Sequence, residues 1–176
     1  TESGTKALVK AAKRGIDITI VTNSLASNDV FAVHGWYAKY REDLIKAGIK
    51  LWEVKASANI KSKWSLTGSS RASLHAKAMM IDGKTLFVGS MNWDPRSAEL
   101  NTEMAVVIEQ PEYVQKSLAL LPEQLKESAY QIAIKDGDIA WLDKETGEEF
   151  NSEPEASVWR KMGAWFSGIL PIEDQL

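Results

Sequence analysis

The chain contains no cysteine, which excludes disulfides and thiolate-held metal together. Histidine is scarce: His34 and His75 are the only two, 41 positions apart. No HExxH or comparable ligand spacing can be assembled from them, so no zinc centre is expected and neither metal nor other cofactor is assigned. There is no apolar run of the roughly 18 residues that a transmembrane helix needs, and no signal peptide is visible. A surplus of positive charge is missing as well. Lys and Arg number 21 against 24 Asp and Glu, a net charge of −3. With no dominant basic face, that balance argues against dedicated nucleic-acid binding. No internal repeat is apparent.

What is present fits an ordinary folded domain. The 176 residues, 44% of them hydrophobic, are enough for one domain with a real core. The chain starts at Thr1 and enters helical sequence at once, so a missing front part is expected. Ser3 to Arg14 reads as an amphipathic helix stopped by Gly15, and Ile16 to Thr22 as a strand, the α/β rhythm. Asn23 to Asn28 leaves that strand end, where ligands commonly sit in α/β sheets. Asn23 and Ser24 either line a pocket there or form a plain turn with Asn28 or Asp29 as N-cap. Val30 to Ala47 reads as one helix, with Val33, Tyr37, Tyr40 and Leu44 as its buried stripe. His34 lies at the edge of the stripe, as a helix-surface histidine or a headgroup ligand. Ile49 to Val54 is the next strand.

Lys55 to Arg71 is a polar loop holding Lys55, Lys61, Lys63, Arg71 and Trp64. Either it greets an anionic headgroup, with Lys63 and Arg71 as candidates, or it is simply solvated. Met104 to Ile108 reads as a buried strand. Pro111 opens a helix to Leu121, and Pro122 starts a second. Short strands at Ile132–Ile134 and Ile139–Leu142 flank an Asp136-Gly137 turn. Asp143 to Glu155 is acidic and expected at the surface. From Ser157 to Leu170, Val158, Trp159, Met162, Trp165, Phe166, Ile169 and Leu170 share one helical face. That face either packs on the domain or lies in a membrane interface.

The stretch with the most chemistry is Ser73–Asn92. Two apolar runs around Asp82-Gly83 predict a hairpin. His75 and Lys77 then share a face, ~7 Å apart along the strand. With a two-residue loop, His75 lies opposite Ser90 and Asn92 projects from the same face; a wider loop shifts that register. Gly89 leaves room for a ligand to approach the backbone. The set suits an oxyanion: Lys77 as a point charge, Ser90 and Asn92 as neutral donors, and His75 as nucleophile or acid–base. The same residues also fit a buried hairpin with a satisfied core histidine and a snorkelling lysine.

The full pattern His75-x-Lys77-x4-Asp82-Gly83-x5-Gly89-Ser90-x-Asn92 resembles the HKD signature of the phospholipase D superfamily. The run from Asn92 through Trp93, Asp94, Pro95 and Arg96 to Glu103 resembles the cardiolipin synthase C group. The likeness extends weakly to Thr22–Leu25 and to Trp159–Leu176. It implies an α/β fold, a phospholipase D-like half with a mixed β-sheet flanked by helices. Residues 1–155 would be the catalytic domain and 156–176 a Trp-rich amphipathic helix and tail.

The resemblance also implies a metal-free phosphatidyltransferase acting through a phosphohistidine. His75, Lys77, Asn92 and Ser90 would sit at its centre, and the Glu103 carboxylate would bond the other nitrogen of His75. Asp82, at the hairpin tip, is assigned a structural role. Asp94 and Arg96 read as a local pair. Partners would be phospholipid substrates, a membrane surface and a second HKD half, from a missing N-terminal domain or a homodimer. The location would be bacterial, peripheral to the inner membrane or cytoplasmic. Alternatives are a single-motif phosphodiesterase or nuclease working as a homodimer, and a non-catalytic membrane-binding module.

Overall fold

Gly15, at φ +91, takes the chain out of α1 (Glu2–Lys13) and toward β1 (Thr19–Asn23). The structure, a computed structural model, describes residues 1–28, 30–58, 74–92, 97 and 100–169, the side chains at 31, 32 and 169 excepted. Lys61, Lys63, Trp64, Arg71, Asp94 and Arg96 lie outside the described residues.

β1 pairs in parallel with β2 (Lys50–Val54), Thr19 facing Lys50 and Asn23 facing Val54. β2 continues antiparallel into β6 (Ala129–Lys135), then β7 (Asp138–Asp143) and the short β8 (Glu149–Phe150). One parallel pair in an otherwise antiparallel sheet makes it mixed. A second, antiparallel sheet holds β3 (Lys77–Ile81), β4 (Thr85–Gly89) and β5 (Ala105–Glu109). Helix α4 (Pro111–Ser128) links β5 to β6 and so carries the chain from one sheet to the other.

The core lies on the larger sheet. Leu51, Tyr130, Ile132 and Trp141 are buried together, with Ile20, Tyr37, Ile45, Ile139 and Phe150 packed around them. Each such side chain stabilises the fold by about 1.5–3 kcal/mol.

Several elements depart from the sequence expectation. The long helix is two, α2 (Phe31–Ala38) and α3 (Arg41–Lys46), broken at Lys39–Tyr40. A tight turn with Tyr40 N donating to Tyr37 O at 2.9 Å marks the break, and Arg41 is turned inward there. α4 is a single helix with Pro122 inside it. The proline forfeits only the bond to the Leu118 carbonyl, and Leu118 lies on an exposed side. β5 is not buried: Val106 and Val107, which point to opposite faces, are both exposed.

The acidic segment is not all surface. Asp143 is buried with Lys55, carboxylate to ammonium at 2.8 Å, so Lys55 is a core ion-pair partner rather than part of a basic loop. Finally, α5 (Val158–Ile169) turns its aromatic face outward, against the packing expectation.

Candidate active site

The hairpin turn is built from two left-handed residues, Asp82 at φ +52 and Gly83 at φ +65. Asp tolerates that region and Gly is strain-free there. Lys84 N donates to Ile81 O at 3.0 Å, and Ile81 pairs with Thr85, so three residues form the loop. The register therefore slips by one. Lys77 pairs with Gly89, and continuing that register puts His75 level with Met91 rather than Ser90. The glycine has a packing reason of its own. A Cβ on Gly89 would stand 2.9 Å from Met104 O and 3.0 Å from Ala105 Cβ. The close neighbour is strand β5, not a ligand.

His75 and Lys77 do come together. Lys77 Nζ donates to His75 Nδ1 at 3.3 Å and to the His75 carbonyl at 2.9 Å. An ammonium has no lone pair to offer. The Nδ1 therefore accepts, and the neutral ring carries its proton on Nε2. The segment before them is held by Asn23 at the end of β1. Its Nδ2 donates to Leu74 O at 3.0 Å, and Leu74 N donates to its Oδ1 at 2.7 Å. The carboxamide thus acts as a strand partner one residue before His75, and it is not free to line a substrate pocket.

At the far side of the same sheet end, Ser90 and Glu103 are joined. Ser90 N donates to Met104 O at 2.9 Å. Met104 N donates to Ser90 Oγ at 3.0 Å, and the Ser90 hydroxyl donates to Glu103 Oε2. Asn101 Nδ2 donates to Glu103 Oε1 at 3.2 Å. The bond from Ser90, then that from Asn101, holds the Glu103 carboxyl below the usual carboxylate range, with the charge of Lys77 adding. The implied partner of His75 is thus engaged by Ser90 and Asn101, while His75 Nδ1 faces Lys77. The one hydroxyl hydrogen of Ser90 points at a carboxylate and is not available to an oxyanion. Asn92 is exposed just beyond β4, and Asp82 sits at the hairpin tip.

Two other candidates are placed elsewhere. Ser24 is fully buried and donates to Ser27 Oγ at 3.1 Å. His34 is buried rather than at the helix surface, its Nε2 lying 2.7 Å from Arg41 Nη2 and 3.1 Å from Glu153 Oε1. Around them Arg41 reaches Glu53 and Glu153, each at 2.7 Å. Tyr37 and Trp141 both donate to Glu53 at 3.0 Å. His34, Glu53 and Glu153 bring their ligand atoms within 4.8 Å of one another. The Arg41 guanidinium already supplies the positive charge among them, so the cluster is a buried ion network. Sequence reasoning missed it, although His34, Tyr37 and Arg41 fall at the i, i+3, i+7 spacing of one helix face.

A cleft of about 400 Å³ opens beyond the ends of β1 and β2, lined by Ser27, Ser57, Glu155 and Arg160 among others. His75 and Lys77 do not line it, and its charged groups are occupied. Glu155 accepts from Ala56 N and Ser57 N at 2.6 and 3.2 Å. Arg160 Nε donates to Leu25 O at 3.2 Å, and its Nη2 to Asn28 O. The open, charged end of the small sheet is the better chemical site. There an imidazole, an ammonium and a carboxylate all meet solvent.

Known proteins show the family to which the chain belongs. A family model described as cardiolipin synthase, PLD-like domain, matches residues 1–123. The chain is 40% identical over 179 residues to cardiolipin synthase C of Escherichia coli K12, covering 98% of this chain and 38% of that one. It is 33% identical over 103 residues to cardiolipin synthase A of Proteus mirabilis, covering 58% of this chain and 18% of that one. The chain thus spans well under half the length of these relatives. In fold it is similar to the crystal structure of a phospholipase D family member, Nuc, from Salmonella typhimurium. That match has a TM-score of 0.50 and 23% identity, over 70% of each chain.

Proposed function

From the premise that the chain belongs to the cardiolipin synthase family of phospholipase D-like domains, we propose that it is the catalytic C-terminal half of a phosphatidyltransferase. The observation that carries this reading is the His75–Lys77 contact at the open end of β3. One imidazole attacks the phosphorus of a phospholipid phosphodiester, and the phosphorus–oxygen bond to the leaving alcohol breaks. That alcohol takes a proton from a second imidazole. The hydroxyl of an acceptor lipid then attacks the phosphohistidine, the phosphorus–nitrogen bond breaks to free the first imidazole, and the hydroxyl proton returns to the second imidazole. Lys77 and Asn92 face the developing oxyanion. His75 supplies one of the two imidazoles. The other comes from a second HKD half, because His34 is buried in the Arg41 network. The enzyme works peripherally on a bacterial inner membrane. Among the described residues no helix is long and apolar enough to cross one.

The second reading is a single-motif phosphodiesterase formed by two copies of this chain. The open edge of β5 favours it: among the described residues the strand pairs with β4 alone, and its Val106 and Val107 are exposed, the kind of edge that a second subunit covers. One experiment addresses both. Radiolabelled phosphatidylglycerol is incubated with the chain, alone and with an upstream half supplied, and transfer to lipid or water is followed. Wild type turns over, and His75→Ala abolishes turnover while leaving vesicle binding intact. Turnover by the chain alone, as a dimer in sedimentation, selects the second reading. Undiminished turnover by His75→Ala, or none by wild type even with the second half, sinks the enzyme assignment.

A further inference from the structure

We propose that the outward face of α5 is a docking surface for an anionic phospholipid bilayer, on which the chain lies without crossing it. The proposal deepens the reading above by naming how the chain meets its lipid. It rests on that reading only in the choice of phosphatidylglycerol as probe.

The argument begins with an inversion. An amphipathic helix of a water-soluble domain turns its apolar stripe inward. In α5, at 100° per residue, Val158, Trp159, Met162, Trp165 and Phe166 fall within an arc of about 120°. All five are exposed, Trp159 to 81% and Trp165 to 70%. The buried side carries Ala164, Ser167 and Gly168 instead. Sterics hold that orientation. A Cβ on Gly35 of α2 would run into the Ala164 carbonyl, and one on Gly168 would stand 3.2 Å from Gly35 O. The two helices touch backbone to backbone, and an indole has no room between them. Polar anchors fix the helix start. Arg160 bonds the carbonyls of Leu25 and Asn28, and Glu155 caps Ala56 and Ser57.

Charge selects the occupant. Residues 30–41 and 156–170 contain no Asp or Glu, in a chain of net charge −3. They carry Lys39, Arg160 and Lys161, besides Arg41, which is buried against Glu53 and Glu153. Lys39 sits on the Trp36 ring at 3.4 Å, close to Gly168. An aromatic stripe flanked by Lys39, Arg160 and Lys161 matches acyl chains below anionic headgroups. A second copy of the same face would set like charges against each other. One turn links the docking helix to the candidate site. The carbonyls that Arg160 holds lie in the turn after Asn23, whose carboxamide grips Leu74 beside His75.

The test is co-sedimentation of the whole chain with vesicles of phosphatidylcholine, with and without phosphatidylglycerol. Wild type partitions onto the anionic vesicles, and brominated acyl chains quench its tryptophan emission. Trp159→Ser with Trp165→Ser and Phe166→Ser, all at exposed positions, weakens partitioning about tenfold or more and abolishes that quenching. Lys161→Gln weakens it about fivefold at low salt, and added salt erases the difference. Circular dichroism melts confirm that both variants keep the fold. Three outcomes overturn the proposal: wild type that binds neither vesicle, a triple variant that binds as well as wild type, or a triple variant that merely turns a lipid-free oligomer into a monomer. His75→Ala binds vesicles as wild type does, so loss of the enzyme reading leaves this result standing.

Discussion

Asn23 joins residues 51 apart in sequence, and both of its hydrogen bonds run to the backbone of Leu74. Removing it leaves a part-buried amide and carbonyl without partners, a loss of about 1–3 kcal/mol. The strain falls one residue from His75. Asn23→Ala is therefore expected to lower kcat more than it raises KM, because it frees the imidazole while leaving Lys77 and Asn92 to meet the substrate. Asn23→Gln does not restore it, since the extra methylene misplaces the carboxamide. Steady-state kinetics on a soluble phosphodiester, beside thermal melts, reads both effects; an unchanged kcat in Asn23→Ala removes Asn23 from the positioning role. Such a role was not legible in the sequence, where Asn23 reads as a turn or pocket residue. What was legible is what the motif spells locally, the contact of His75 with Lys77. Partners that arrive from other elements were not: Ser90 taking Glu103, Glu53 taking Arg41, and Asp143 taking Lys55 are all facts of tertiary packing.

Secondary elements with a strong local signal came out as expected. Gly15 and the Asp82-Gly83 and Asp136-Gly137 turns all lie at positive φ, where the sequence places them. Boundaries decided by packing did not. Nothing in Lys39-Tyr40 breaks a helix by propensity. The break exists where Arg41 turns in to meet Glu53 and Glu153. The seam of α2 and α5 is the clearest case. Periodicity identifies the apolar face of α5, but which side faces the domain depends on Gly35 and Gly168 meeting across the seam. Gly35→Ala is accordingly expected to destabilise the chain by about 1–3 kcal/mol, since a methyl against a carbonyl forces the helices apart. Urea unfolding measures the loss. If the methyl is tolerated with no change in midpoint, the helices are not in backbone contact and the fixed orientation of α5 is wrong.

At the scale of the molecule, the family resemblance conveys the mixed α/β architecture, while the division into two sheets and the exposure of Val106 and Val107 on β5 emerge only in three dimensions. The final strap, from β7 to α5, is tied down by carboxylates that composition alone would leave in water. Burial pushes the Glu153 carboxyl up, but the hydrogen bond to His34 and the charge of Arg41 outweigh it and hold it below its ordinary value of 4.5. Burial likewise opposes, and the Lys55 hydrogen bond together with the Thr146 and Glu145 amides outweighs, in Asp143, which lies below its ordinary 3.8. A carboxyl with a depressed folded pKa contributes stability that is complete above the unfolded value and is lost as pH falls through the folded one. Stability is therefore expected to be insensitive to these two groups at neutral pH, and to decline steadily once pH drops below about 4.5. Glu153→Gln leaves Arg41 with one carboxylate fewer and lowers stability at neutral pH by on the order of 3 kcal/mol. It also makes the acid decline shallower, because one titrating group is gone. Urea unfolding of both proteins across pH 3 to 7 decides it. Parallel curves offset by a constant amount would mean that Glu153 titrates alike in the folded and unfolded chain, and that the strap is held by Asp143, Glu155 and Arg160 without it.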